Sequence, residues 1–215
     1  LGHPIFVDVS ARAGIIHEGY GLGLSIADLN DDGWPDVYVA NDFMTNDHLY
    51  LNQHNGRSGA PVFQEQSARS QRHQSYNGMG VDIADINNDT RPDVLVVDML
   101  PQTNDRRKTT IAGMNYEKFL LEAQAGYVPQ FMRNTLQLNR GNGPDGVQFS
   151  DIGQLAGVHA TDWSWGPLLA DFDNDGRRDL LITNGYRRDI TDLDFMAYTT
   201  NDLMFGTEAA RDKKK

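Results

Sequence analysis

DLNDDGWPD (28–36) decides the fold: four acidic side chains crowd around one Gly, and the chain then runs into the strand-like DVYVA (36–40). The pattern returns as DINNDTRPD (85–93) before DVLVV and as DFDNDGRRD (171–179) before DLLIT. Their starts lie 57 and 86 residues apart. A different feature, an aromatic followed by a polar run, keeps the same intervals: FVDVSARAG from Phe6, FQEQSARSQ from Phe63 and FSDIGQLAG from Phe149. Two unrelated features in one register mark an internal repeat.

The residues before each acidic loop repeat as well: GLGLSIAD (21–28), GMGVDIAD (78–85) and SWGPLLAD (164–171). Gly23, Gly80 and Gly166 correspond, as do Ala27, Ala84 and Ala170, while Leu22, Leu24 and Ile26 alternate with small residues. Small-against-large alternation at period two predicts a strand buried on both faces, with close approach on one. The stretch after each loop is a second strand, HLYLNQ (48–53) and NTLQLNR (134–140) are a third, and the aromatic-led segment supplies a fourth.

The expected fold class is therefore all-β: β-propeller blades of four antiparallel strands in a partial ring, the small-residue strand innermost, with short helical insertions. A sandwich of β-meanders is the alternative, disfavoured because sandwiches rarely repeat one loop so faithfully. The repeat units span about 20–67, 77–152 and 163–215, with helical inserts at about 101–133 and 189–206. IAGMNYEKFLLEAQA in the first insert has apolar residues at Ile111, Met114, Phe119 and Leu120, and Thr191 with Asp194 forms a possible capping box in the second. Strands three and four of the last unit do not follow, so a piece of a longer protein is expected, packed on the remainder of its own propeller or in a larger assembly.

Read by place, each nonamer carries oxygen side chains at 1, 3, 5 and 9: Asp28, Asn30, Asp32 and Asp36; Asp85, Asn87, Asp89 and Asp93; Asp171, Asp173, Asp175 and Asp179. Places 1, 3 and 5 of a tight loop converge, and the backbone carbonyl at place 7 (Trp34, Arg91, Arg177) closes the shell with the carboxylate at 9. Hard oxygens in that number suit Ca²⁺, which takes about 6–8 of them in loose geometry, better than the strictly octahedral Mg²⁺. Two carboxylates about 4 Å apart repel by roughly 4 kcal/mol at an effective dielectric near 20, so a cation among them relieves the loop. Up to three Ca²⁺ are expected. The second loop has Thr90 where the others have Gly33 and Gly176; Gly reaches positive φ without strain, so this loop is expected to be strained or weaker. An EF-hand is excluded: place 12 is Val39, Val96 or Ile182 rather than Glu, and the flanks are strands.

The 215 residues carry a net charge of −11, and their only basic cluster is Lys213–Lys215, a solvated tail. No basic stripe exists to meet phosphates, so nucleic acid is excluded as a partner. There is no Cys, hence no disulfide framework or thiolate metal site. No stretch approaches 18 apolar residues, so no transmembrane segment is expected.

Strands reading G-x-x-x-A-D before D-x-[ND]-x-D-[GT]-x-x-D resemble FG-GAP repeats, the calcium-binding propeller repeats of integrin α-subunit heads. They are more similar still to the FG-GAP/VCBS-type repeats of bacterial proteins associated with ASPIC/UnbV domains. The resemblance covers most of residues 5–185. It implies a propeller of about seven blades, within the usual range, with calcium held at the places named above. Thr90, the helical inserts and the incomplete blade count depart from that pattern.

Sites of this open kind bind calcium at about 10⁻⁴–10⁻³ M, which suits the cell surface, the periplasm or secretion. The expected function is a calcium-binding module that binds or scaffolds through protein or glycan contacts. The alternative is part of a propeller hydrolase or lyase acting on polysaccharide. No nucleophile elbow, zincin or P-loop pattern occurs, and the six His are scattered. The end of the sheets opposite the acidic loops, with Asn41, Asp42, Asp98, Asn184, Tyr186, Arg187 and Arg188, is the expected partner face, on the premise that loops on a rigid scaffold carry function.

Overall fold

A computed structural model describes residues 6–54, 62–110, 116–186 and 191–205. The helix positions Ile111 and Met114, the face residues Arg187 and Arg188, and the basic tail Lys213–Lys215 lie outside the described residues.

The first repeat folds into β1 (Tyr20–Ala27), β2 (Asp36–Asp42), β3 (His48–Asn52) and β4 (Phe63–Glu65), one antiparallel sheet in chain order. A helical turn α1 (Ser67–Ser70) and the short β5 (Gln74–Ser75) lead to the second sheet. This comprises β6 (Gly80–Ala84) and β7 (Asp93–Val97) and, after α2 (Asn104–Thr109), α3 (Tyr116–Gln124) and β8 (Gln130–Phe131), the long β9 (Thr135–Gly143) and β10 (Gly146–Asp151). Its order is β6-β7-β9-β10, and β5 pairs in parallel with β8 beside it. β11 (Ser164–Ala170) and β12 (Asp179–Asn184) form a two-stranded third sheet, followed by α4 (Leu193–Phe205). The architecture is all-β, a partial propeller of four-stranded antiparallel blades.

The inner strands β1, β6 and β11 lie side by side. A β-carbon on Gly23 would come within 2.8 Å of the Val81 nitrogen, and one on Gly80 would collide with the Trp165 carbonyl. Close approach on the small-residue face is thus met at both contacts. A bulge recurs in each inner pair that contains it: register shifts between Gly21 and Gly23 in β1 and between Ser164 and Gly166 in β11.

Two apolar clusters fill the spaces between sheets. Tyr38, Leu49 and Leu51 of the first sheet meet Val94, Val96 and Phe149 of the second. Leu95, Val97 and Leu136 of the second meet Leu169 of the third, with Leu180 and Ile182 packed alongside. β7 is buried throughout because its alternate residues enter the two clusters in turn. Burial at about 25 cal/mol per Å² of apolar surface makes these two layers the main stabilising term.

Burial on both faces fails for β1. Leu22, Leu24 and Ile26 are 50%, 63% and 60% exposed. Their alternation describes a face suited to packing, and among the described residues nothing packs on it.

The expected helix of the first insert forms over Tyr116–Gln124, preceded by α2, whose Thr103 hydroxyl accepts from the Arg106 N–H. α3 buries no residue fully; Tyr116 and Leu121 stay exposed. In the second insert the cap is Asp192 rather than Thr191: its Oδ1 accepts from the N–H groups of Asp194 and Phe195. Residues 6–14, expected to match the fourth strands, form a turn instead, in which the Ala13 N–H donates to the Val9 carbonyl. Among the described residues no helix is long and apolar enough to cross a membrane.

Candidate metal centres

The three acidic loops close the same way. The place-1 carboxylate takes two backbone N–H groups: Asp28 from Asp32 and Gly33 (3.1 and 2.7 Å), Asp85 from Asp89 and Thr90 (3.1 and 2.7 Å), Asp171 from Asp175 and Gly176 (3.0 and 2.8 Å). The place-9 carboxylate accepts from the N–H at place 2, from Leu29 to Asp36, Ile86 to Asp93 and Phe172 to Asp179. The place-5 carboxylate accepts from the N–H at place 7, contributed by Trp34, Arg91 and Arg177. Places 4 and 6 are left-handed in every loop: Asp31 and Gly33 at φ 58° and 85°, Asn88 and Thr90 at 59° and 73°, Asn174 and Gly176 at 61° and 84°. Asp and Asn tolerate that region; a β-branched Thr does so only with strain. Thr90 therefore adopts the backbone of its Gly counterparts at a cost.

In the third loop the side chains at places 1, 3 and 9 come together. Asp171, Asp173 and Asp179 each place an oxygen within 4.8 Å of the others, the one group of three acidic, His or Cys residues so arranged among the described residues. This cluster could hold a metal ion. In the first loop the amide oxygen of Asn30, at place 3, is buried without a hydrogen-bond partner, while its Nδ2 donates to Asp32. An acceptor left without a donor is what an oxygen-ligated cation would satisfy. The residues present thus fit the hard-oxygen set that the spacing suggests.

Places 5 of the first two loops already meet a cationic or protonatable group. His54 Nε2 lies 3.1 Å from Asp32 Oδ2, its ring against Trp34, and Arg91 donates to Asp89 Oδ2 at 2.6 Å. Burial pushes the Asp32 carboxyl up, but the Asn30 amide, His54 and the Trp34 N–H together hold it below the usual range. The Asp89 carboxyl is lowered by the Arg91 N–H and guanidinium. At place 9 of the first two loops burial wins: Asp36 is pushed up to about 6, helped by the charges of Asp32 and Asp28, and burial likewise raises Asp93, helped by the charges of Asp89 and Asp85. A divalent ion would counter this crowding of like charge.

Two Asn outside the nonamers complete the loops. The N–H groups of Asn52 and Asn139 donate to Asp36 Oδ1 and Asp93 Oδ1 at 2.8 and 2.7 Å. Their amides also reach the Pro35 and Pro92 carbonyls. The sequence reading missed both, although LYLN (49–52) in β3 and LQLN (136–139) in β9 repeat. Asn139 further reaches the Leu29 carbonyl and Asn142 the Asn30 carbonyl, so the second sheet braces the first loop. Asn88 reaches the Gly176 carbonyl between the second and third loops.

The expected partner face at the other end of the sheets is largely structural. Asn41 and Asp98 are buried, not displayed. Asn41 bonds Asp47 Oδ1 and the Asn46 carbonyl. Asp98 Oδ2 accepts from the Ser75 hydroxyl and from the N–H groups of Tyr76, Asn77 and Arg133. Asp42 accepts from Asn77 Nδ2. Polar residues at these strand ends hold connecting segments in place, and only Asn184 and Tyr186 of the described members remain exposed.

A family model described as FG-GAP-like repeat matches residues 28–96 and 126–182, more than half of the chain, and takes in all three loops. No curated protein matches the sequence.

Proposed function

This chain belongs to the FG-GAP-like repeat family, and from that premise we propose that it is a calcium-stabilised propeller module that binds or scaffolds through protein or glycan contacts in an exported or cell-surface protein. The observation that carries the reading is the threefold recurrence of one hydrogen-bonded acidic loop, down to the same two left-handed places.

The residues that would hold the ions are Asp28, Asn30, Asp32 and Asp36 with the Trp34 carbonyl; Asp85, Asn87, Asp89 and Asp93 with the Arg91 carbonyl; and Asp171, Asp173, Asp175 and Asp179 with the Arg177 carbonyl. Bound calcium would supply positive charge where the loop carboxylates crowd together and would fix the turn between the first two strands of each sheet. Three such ions would offset six of the eleven net negative charges. Open loops of this kind bind at about 10⁻⁴–10⁻³ M, a level of free calcium met outside cells, and that supports export.

Calorimetric melting in about 10 mM Ca²⁺ and in EDTA tests the proposal, each occupied site adding about 1.4 kcal/mol if its dissociation constant is near 1 mM. The expected result is a higher midpoint with calcium and none of that rise with Mg²⁺ at the same concentration. Identical midpoints in calcium and EDTA would overturn it.

A further inference from the structure

The outer strands β4 and β10 end on carboxylates, Glu65 and Asp151, which pair with Tyr50 and Gln137 of the strands beside them. One oxygen of each takes two main-chain N–H groups. Glu65 Oε1 accepts from Leu49 and Ser67 at 3.4 and 2.8 Å, and Asp151 Oδ1 from Leu136 and Gly153 at 3.1 and 2.8 Å. Leu49 matches Leu136 in the repeat, and Ser67 matches Gly153. The two carboxylates therefore do the same structural work with one oxygen.

Their second oxygens differ. Asp151 Oδ2 meets His73 Nε2 at 2.8 Å and the Arg133 guanidinium at 3.3 Å, and that guanidinium lies over the Phe131 ring. Aligning LYLN (49–52) with LQLN (136–139) puts Asn46 where Arg133 stands. The Asn46 amide is taken up by the Val128 main chain, donating to its carbonyl and accepting its N–H. Glu65 Oε2 is left with no hydrogen-bond donor among the described residues.

Where the second sheet has a guanidinium, the first has a cavity of about 340 Å³, walled by His17, Glu18, Thr45, His48, Glu65 and Tyr127. That is the low end of the about 300–1,000 Å³ usual for ligand sites, enough for one side chain. Two of its lining residues bury polar atoms that have no partner, Thr45 Oγ1 and His48 Nε2. Burial lowers the His48 pKa and keeps the imidazole neutral, so a ring protonated on Nδ1 offers Nε2 as an acceptor. Carboxylates, a neutral imidazole and a hydroxyl suit a cation with several N–H donors, and the Tyr127 and His17 rings suit a planar one. A metal ion fits less well: among the described residues only the third acidic loop brings three such ligand atoms within 4.8 Å of one another.

We propose that this cavity binds the guanidinium group of a peptide-borne arginine, with Glu65 Oε2 in the role that Asp151 Oδ2 has toward Arg133. The second repeat carries its own arginine, and the first receives one. Charge-assisted bonds to a carboxylate are the strong ones, so Glu65 is the anchor. The cavity involves the connection between β2 and β3, at the end of the sheet opposite the acidic loop, and its occupancy does not rest on bound calcium.

Titration of the 215-residue chain with N-acetyl-arginine amide, followed by the NMR signals of the histidine rings, tests this. The His17 and His48 signals should shift and saturate with a dissociation constant of about 1 mM, in calcium and in EDTA alike. The His73 signal should stay, because Arg133 already fills the corresponding place. N-acetyl-citrulline amide, the uncharged isostere, should bind at least about ten-fold more weakly. Glu65→Gln keeps an acceptor for the Leu49 and Ser67 N–H groups and removes the charge, and should weaken arginine binding by at least about ten-fold. Ala68→Trp, at an exposed lining position, should block the cavity by bulk and leaves Glu65 in place. A native circular dichroism spectrum certifies each variant. His17 and His48 signals that do not move up to about 20 mM arginine ligand, citrulline binding as tight as arginine binding, or undiminished binding in either variant would each overturn the proposal.

Discussion

Gly23 lies against the backbone of Gly80: a β-carbon added to it would fall 2.9 Å from the Gly80 Cα. Backbone cannot yield as a flexible side chain can, so the two inner strands would have to part. Gly23→Val is expected to destabilise by about 1–3 kcal/mol, the range for overpacking a close contact. A lowered midpoint in urea with an unchanged slope would show this; an unchanged midpoint would mean that the inner strands are not so closely apposed.

Asp171 and Asp173 belong to the one group of three acidic, His or Cys residues whose ligand atoms lie within 4.8 Å of one another among the described residues. Asp173→Ala removes a side-chain oxygen from the third loop without touching the two N–H bonds to Asp171. The calcium-dependent rise in melting midpoint should shrink by one site's share, about 1.4 kcal/mol at ten times the dissociation constant. Isothermal titration should lose one equivalent of calcium, and a full complement bound by the variant would rule out this residue as a ligand.

Thr90 holds φ at 73°, where its counterparts Gly33 and Gly176 sit at 85° and 84°. A β-branched side chain there is strained, by about 1–3 kcal/mol. Thr90→Gly releases that strain but adds unfolded-state freedom worth roughly 0.5–1 kcal/mol. The net expectation is a gain of about 1 kcal/mol, read as a higher urea midpoint in EDTA, where calcium does not contribute. A loss would mean that the Thr side chain contributes more than its backbone strain costs.

The matching of Gly23 with Gly80 was legible in the sequence because close backbone approach demands the same small residue at both contacts; Gly166 makes no such approach among the described residues. The acidic places were legible for the same reason. Burial of β1 was misread because apolar alternation shows that a face is suited to a partner and says nothing of whether the partner is there. Asn41 and Asp98 were misread as displayed because their burial comes from distant segments. Ser75 and Arg133 reach Asp98 from 23 and 35 residues away, beyond any local period. Asn52 and Asn139 were overlooked because they reach the loops from a later strand, through a main-chain N–H and a side-chain amide that only the folded sheet brings there.

Asp47 is fully buried between β2 and β3, its Oδ1 accepting the Asn41 N–H and its Oδ2 the Tyr38 hydroxyl, both at 2.9 Å. Burial pushes its carboxyl up to about 7, with the charge of Asp98 adding to the shift and the two donors opposing it. Burial likewise pushes Asp98 up to about 6 against its many donors. In the unfolded chain such carboxyls titrate near about 3.9. Between about pH 4 and pH 7 the folded chain therefore holds protons that the unfolded chain has released, and stability falls as pH rises through that window. The contribution of these two groups is complete below about pH 4 and lost above the folded-state values. In EDTA, the urea midpoint should decline from about pH 5 to pH 8. Asp47→Asn keeps an acceptor for the Asn41 N–H and turns a donor toward the Tyr38 oxygen, so it should flatten the decline without unfolding the sheet. A wild-type midpoint that rises over this range would mean that Asp47 is charged in the folded protein and held so by its donors. A decline undiminished in Asp47→Asn would assign the proton uptake to other groups.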